Sequence, residues 1–340
     1  MLVPSSTRRP ETLGDLIGPD LLGRIDRLDV LSRKVFAGKL PGERRSRRRG
    51  QSVEFDDYRA YVPGDDLRRI DWNVFARLDR FFVKLFREDE DLGLHLVVDA
   101  SPSMDAGDPS KLIFAQRLAM ALGYIGLVNQ NRVVATIIGA PGRPVVQRLA
   151  PIRGRRSLER LAGFLLERVH PGESGISGPS GGTGGSAARS AAPPGGGEFA
   201  GALRAVALAR TGKGVMAVIS DFLVREDLRA ALNYLGSGQG SGGGFDTYAL
   251  QVLSAGEIDP VSEGPGVLGD VRLIDAESGA QAEVTVSAAT IKRYRQRLDD
   301  HVERLRSACA ARGMTHALVR SDADLSKLLL DYLRRRGMLG

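Results

Sequence analysis

The chain has one cysteine, Cys309, in 340 residues. That excludes an internal disulfide framework and any metal site built from several thiolates. Histidine is nearly as scarce. His95 lies inside an apolar run and reads as a packed side chain, while His170, His301 and His316 form no spacing that metal sites use. Long hydrophobic runs are missing too: no window is apolar and charge-free over about 18 residues, the length of a spanning helix. The opening "MLVPSSTRRPETLGDL" carries no apolar stretch of signal-peptide length. These absences make a soluble cytoplasmic protein the expectation. The single tryptophan, Trp72, reads as a packing anchor.

Positive charge is present in excess, and it is concentrated. The net charge is +7, and residues 1–50 hold 12 Lys and Arg against 6 Asp and Glu. The densest part is "ERRSRRRG", residues 43–50, with Arg44, Arg45, Arg47, Arg48 and Arg49. Such a run is either a phosphate-binding patch or a solvated, partner-facing arm. No aromatic residue interleaves with the arginines, so bases would find no stacking platform, and nucleic-acid binding is the weaker alternative.

Apolar periodicity sets the organisation. Leu21, Ile25, Leu28 and Leu31 recur at helical spacing. "YVPGDDLRRIDWNVFAR", residues 61–77, is a turn followed by a short helix carrying Trp72. From residue 92 onward, apolar strands ("LGLHLVV", "RVVATIIG", "GVMAVIS", "FDTYALQVL", "THALVR") alternate with helical stretches. The first of these helices is expected to start at Asp108 and Pro109, a good cap and a good first residue. This alternation predicts an open, mostly parallel, doubly wound α/β sheet of Rossmann type. Two domains are expected. Residues 1–90 would hold a helix, the arginine arm and a small helical and β subdomain, and residues 91–340 the main domain. The Gly/Ser/Pro-rich tract at 171–197 is expected to be a disordered insertion within the main domain, and a hairpin insertion is expected near 257–286.

The segment that concentrates chemistry is "LGLHLVVDASPSMDAG", residues 92–107. A buried strand ends in Asp99, and Ser101 and Ser103 follow at alternate positions. Another strand ends in Ser220-Asp221. In an open parallel sheet, ligands bind outside the carboxyl ends of the strands. Two carboxylates and two hydroxyls at one rim form a hard, all-oxygen donor set suited to Mg²⁺ or Mn²⁺. Asp and Ser are also ordinary turn and cap residues, so it is their place after two buried strands that points to a metal.

"DASPSM" and "ISDF" resemble elements of the metal-ion-dependent adhesion site of von Willebrand factor A-type domains, and "EFDDYRAYVPGDDLRRIDWNVFAR" resembles the signature of the bacterial domain-of-unknown-function family 58. The resemblance covers roughly residues 40 to 335. It implies a metal held by Asp99, Ser101, Ser103 and Asp221, with a threonine in a Gly-Gly-Thr turn before the Ser-Asp strand. Here that turn reads "GGGEFAGALR", with Gly197 in the threonine's place and Glu198 beside it. The Gly-Gly-Thr of this chain ends at Thr183, inside the low-complexity tract. Thr183, Glu198 or water are the alternatives for that ligand, and a weakened site is the fourth.

The expected function is a non-enzymatic binding module in which an acidic side chain of a partner completes the metal's coordination. The resemblance implies a MoxR-type AAA+ ATPase as that partner, in a chaperone-like system. The alternative is a metal-assisted phosphohydrolase. A haloacid-dehalogenase-type enzyme needs a second aspartate two residues after the first, and Ser101 stands there, which removes the general acid.

Overall fold

The computed structural model describes residues 8–32, 54–63, 65, 67, 70–87, 92–169, 198–236, 245–263, 269–274 and 280–340. The chain forms two compact units, one of residues 39–91 and one of residues 1–38 with 92–340. The larger unit begins with α1 (Leu13–Leu16) and α2 (Pro19–Ile25). A capping box between Thr12 and Asp15 starts the first, and a proline in the first turn starts the second.

In the smaller unit, β1 (Glu54–Ala60) pairs antiparallel with β2 (Phe82–Arg87), and α3 (Trp72–Leu78) lies between them in sequence. Asp71 caps α3 by accepting from the Asn73 and Val74 amides. Trp72, expected as a packing anchor, packs against neighbouring rings at the surface. It is 60% exposed, and meets Phe75 and Phe81 edge-on. Of the charges around it, Arg59 and Asp65 pair with each other at 2.7 Å.

The larger unit continues through β3 (Leu92–Asp99), α4 (Lys111–Val128), β4 (Arg132–Ile138), β5 (Val146–Arg148), α5 (Leu158–Val169) and α6 (Glu198–Ala209). Next come β6 (Lys213–Ser220), α7 (Leu228–Asn233), β7 (Phe245–Leu253) and α8 (Ala255–Ile258). A hairpin of β8 (Gly269–Ile274) and β9 (Gln281–Val286) follows, then α9 (Ala288–Ala310), β10 (Thr315–Arg320) and α10 (Leu325–Lys327). The central sheet has the order β10-β7-β6-β3-β4-β5. Its strands are parallel except β5, which returns antiparallel along β4 as an edge. The fold is thus mixed α/β with a mostly parallel central sheet, as the alternation of strands and helices predicts. The hairpin falls inside the interval expected for an insertion.

Both faces of the sheet are buried, and β3 and β7 are buried at every position, their few polar residues included. One core joins Leu94, Leu96, Val98, Val133, Ile137, Ala217 and Leu250 to α4 and α5. The other joins Val97, Met216, Val218 and Ala249 to residues of α6, α7 and α9, among them Leu203, Leu232 and Leu305. Cys309 lies fully buried in the second core. Burial pushes its thiol up to about 12.

Three boundaries differ from expectation. The N-terminal segment belongs with the α/β unit and not with a 1–90 domain, because Leu16, Ile17, Leu21 and Ile25 are part of the α4 core. The helix expected to run through Leu28 and Leu31 stops at Ile25, and Val30 instead bridges Leu339. α4 starts at Lys111 and not at Pro109, with the Ser110 hydroxyl accepting from the Ile113 amide. By length and composition α4 is apolar enough to cross a membrane, but 89% of it is buried within the unit. The tract at 171–197, the arginines at 44–49 and His170 lie outside the described residues.

Candidate metal site at the sheet rim

The strand order reverses between β3 and β6. From β3 the chain passes over one face, through α4, to β4, whereas from β6 it passes over the other face, through α7, to β7. At such a point the loops leave in opposite directions and open a crevice at the carboxyl ends of the two central strands. Asp99 is the last residue of β3, Ser220 is the last of β6, and Asp221 follows it directly.

Asp99 is 2% exposed. Its Oδ1 accepts from the Ser101 amide at 2.9 Å and its Oδ2 from the Ser220 hydroxyl at 2.6 Å. The chain then turns through a short 3₁₀ segment, Pro102–Asp105, which leaves the Ser101 and Ser103 hydroxyls 3.1 Å apart. Gly139, at the end of β4, adopts φ +70°, and a Cβ there would lie 3.3 Å from Asp99 Oδ1 and 3.4 Å from Ser101 Cβ. The glycine gives that loop both its left-handed turn and its close approach to the aspartate. Burial, and then the charge of Asp221, push the Asp99 carboxyl up to about 6, against the hydrogen bonds from Ser220 and Ser101.

Asp221 is 1% exposed, and a fully buried lysine meets it. Lys111, in the first turn of α4, donates to Asp221 Oδ2 at 2.8 Å and also to Glu257 Oε1. Burial disfavours the ammonium, but Asp221 and Glu257 together outweigh that and hold its pKa above the ordinary lysine value. The other oxygen of Glu257 accepts from the Ser254 amide, closing the capping box of α8. Behind Asp221 the backbone is locked. Phe222 has φ +54°, unusual for a bulky residue, and is held there by three hydrogen bonds. Its amide donates to Ser220 Oγ, its carbonyl meets the His301 ring, and the Leu223 amide donates to Asp221 Oδ1. Gln251 donates to the Asp221 carbonyl.

Asp99, Ser101, Ser103 and Asp221 therefore stand at one rim, with Asp221 already paired to an internal cation. Thr183 lies outside the described residues; Glu198 is the first residue of α6, and its side chain also lies outside them. Among the described residues no group of three or more His, Cys, Asp and Glu is placed to hold a metal ion, so any ion here depends on hydroxyls as well as carboxylates. Sequence reasoning missed Lys111 and Glu257, and took Ser220 only as part of the strand end. The signals were a lone lysine at the head of an apolar helix and the S-x-x-E box "SAGE" directly after β7. His95 is packed as expected, edge-on to Phe245, and burial brings it down to about 4.

Comparison with known proteins adds a family. The model of the family described as "Protein of unknown function DUF58" matches residues 57–304. The chain belongs to the DUF58 family. Among its relatives is "Uncharacterized protein Rv1480" of Mycobacterium tuberculosis (strain ATCC 25618 / H37Rv), 27% identical over 99% of this chain and 97% of the relative. "Uncharacterized protein Mb1516" of Mycobacterium bovis is equally similar, at 27% identity over the same shares. A solved structure, that of an aerotolerance-related membrane protein from Bacteroides fragilis, matches 72% of this chain and 97% of its own at 17% identity, with a TM-score of 0.34.

Proposed function

We propose that this DUF58 chain is a non-enzymatic, metal-dependent protein-interaction module of von Willebrand factor A type. Asp99, Ser101 and Ser103 would hold a Mg²⁺ or Mn²⁺ ion with Asp221 beside them, and Thr183, Glu198 or water would complete the protein's share. The observation that carries this is the meeting of Asp99 with the Ser220-Asp221 end of β6 at the reversal point of the sheet, sealed by the 2.6 Å bond from Ser220 to Asp99. The residues suit such an ion in donor type, being carboxylate and hydroxyl oxygens. A buried Asp99 carboxyl pushed up by burial and by the charge of Asp221 is also a setting that a divalent cation relieves.

The ion would keep one coordination position for an Asp or Glu of a partner. The partner suggested by the resemblance is a MoxR-type AAA+ ATPase, with the chain acting as its adaptor in the cytoplasm. Calorimetry with Mn²⁺ and Mg²⁺ tests the metal. Wild type should bind, Asp99→Ala should abolish binding, and Ser101→Ala and Ser103→Ala should weaken it. Equal heats from wild type and Asp99→Ala would sink the assignment. Capture of the ATPase should be lost with EDTA but survive moderate salt, because a coordination bond is screened far less than an exposed charge pair.

A further inference from the structure

The metal reading does not use Lys111. A lysine with no exposed surface is rare, and it persists where its charge is matched. Here the match is double. Asp221 Oδ2 and Glu257 Oε1 both accept from the one ammonium, and each carboxylate is fixed on its other oxygen by a backbone amide, from Leu223 and Ser254 respectively. Three elements meet at this ammonium: the first turn of α4, the end of β6, and the first turn of α8 after β7. The neighbouring loop is shaped to the same cluster. Gly107, φ +91°, passes so close to Ser254 that a Cβ would lie 2.5 Å from that residue's Cβ.

We infer that Lys111 is the built-in cation of the rim: it neutralises Asp221 from behind, so a divalent ion is held chiefly by Asp99, Ser101 and Ser103. This rests on the metal reading above and deepens it. Counting charges, Asp99, Asp221 and Glu257 contribute three negative charges and Lys111 one positive, so a bound M²⁺ brings the cluster to neutrality. Without Lys111 the loaded cluster would keep a net negative charge and repel the carboxylate of a partner. With it, the ion stays weakly bound and electrophilic, which favours capture of an acidic side chain. Lys111 is a positioning residue: it acts through Asp221 and touches neither the ion nor the partner.

The test is Mn²⁺ calorimetry and thermal melting of four full-length proteins: wild type, Lys111→Met, the double variant Lys111→Met/Glu257→Gln, and Glu257→Gln. The double variant removes one charge of each sign and so leaves fewer buried charges unpaired, which guards against a single variant that fails to fold. At a fixed residue 257, losing the ammonium should tighten Mn²⁺ binding by about tenfold or more, in Lys111→Met over wild type and in the double variant over Glu257→Gln, and raise the melting shift that Mn²⁺ produces. Glu257→Gln should do the opposite, weakening Mn²⁺ binding by a factor on the order of ten. A cooperatively melting double variant that binds Mn²⁺ no more tightly than Glu257→Gln overturns the inference while leaving the metal reading intact. Binding by Lys111→Met with none in wild type upholds the inference and removes metal dependence from the native protein. No binding in any of the four proteins overturns both.

Discussion

Single side chains in this protein are decided by what the sheet buries with them. His95 and His316 are 3% and 5% exposed, and burial, followed by nearby arginines, brings both down to about 4 from the ordinary 6.5. The unfolded chain therefore takes up protons between pH 6.5 and 4 that the folded chain refuses. The stability contributed by the neutral rings is complete above about 6.5 and is lost as pH falls through that window, by up to roughly 3 kcal/mol per ring. Asp99 works against this trend, since its folded carboxyl, at about 6, takes up a proton before the unfolded one does. The net expectation is lower stability at pH 5 than at pH 7. In His95→Leu, urea unfolding at the two pH values should show a shallower dependence than wild type, because the ring Nε2 is buried without a hydrogen-bond partner among the described residues. An unchanged slope would mean that His95 takes up its proton over the same pH range in the folded chain as in the unfolded one.

At the scale of elements, α4 is the piece that brings the site together, because it carries Lys111 at one end and packs against the sheet along its length. Gly126 allows that approach. A Cβ there would lie 2.9 Å from both Leu94 Cδ2 and Val133 Cγ2, on two buried strands. Alanine at an exposed helix position would gain about 1 kcal/mol over glycine. Here the steric term should win, since valine is stiff at χ1 and neither neighbour has free space to move into. Gly126→Ala is expected to lower unfolding free energy by about 1–2 kcal/mol in chemical denaturation. A stabilised variant would show that helix and sheet sit further apart than described. The start of α4 shows the limit of reading elements from composition. Asp108 and Pro109 carry a proper helix-start signal, yet the helix opens at Lys111, where the lysine reaches two carboxylates that belong to distant segments.

At the scale of the whole molecule, the C-terminal residues are joined to the segment that follows α2. Val30 bridges Leu339, and the amides and carbonyls of Asp29 and Gly340 exchange hydrogen bonds. Leu339 is 1% exposed and shares a core with α2 and α4. Leu339→Ala should cost about 2–4 kcal/mol, a value typical of a buried leucine, although it lies one residue from the last. A melting temperature within error of wild type would mean that this closure contributes nothing. The same closure explains why residues 8–32 left the domain that sequence order assigned them: Leu16, Leu21 and Ile25 bury their apolar faces in a core formed by residues beyond position 92.

The alternation of apolar strands and helices by itself determined a mostly parallel α/β sheet, because strands covered on both faces are largely apolar along their length while helices need only one such stripe. It also placed Asp99 and Asp221 at strand ends, since the apolar run stops where the strand leaves the core. Only the tertiary structure decided that β3 and β6 are neighbours, and so that these ends meet. Only it showed that Lys111 and Glu257, 110 and 36 residues from Asp221 in opposite directions along the chain by the numbering, converge on that carboxylate. Strand order and buried ion pairs depend on contacts between segments far apart in sequence, and a local pattern of apolar and polar residues carries no record of which distant partner will neutralise a charge.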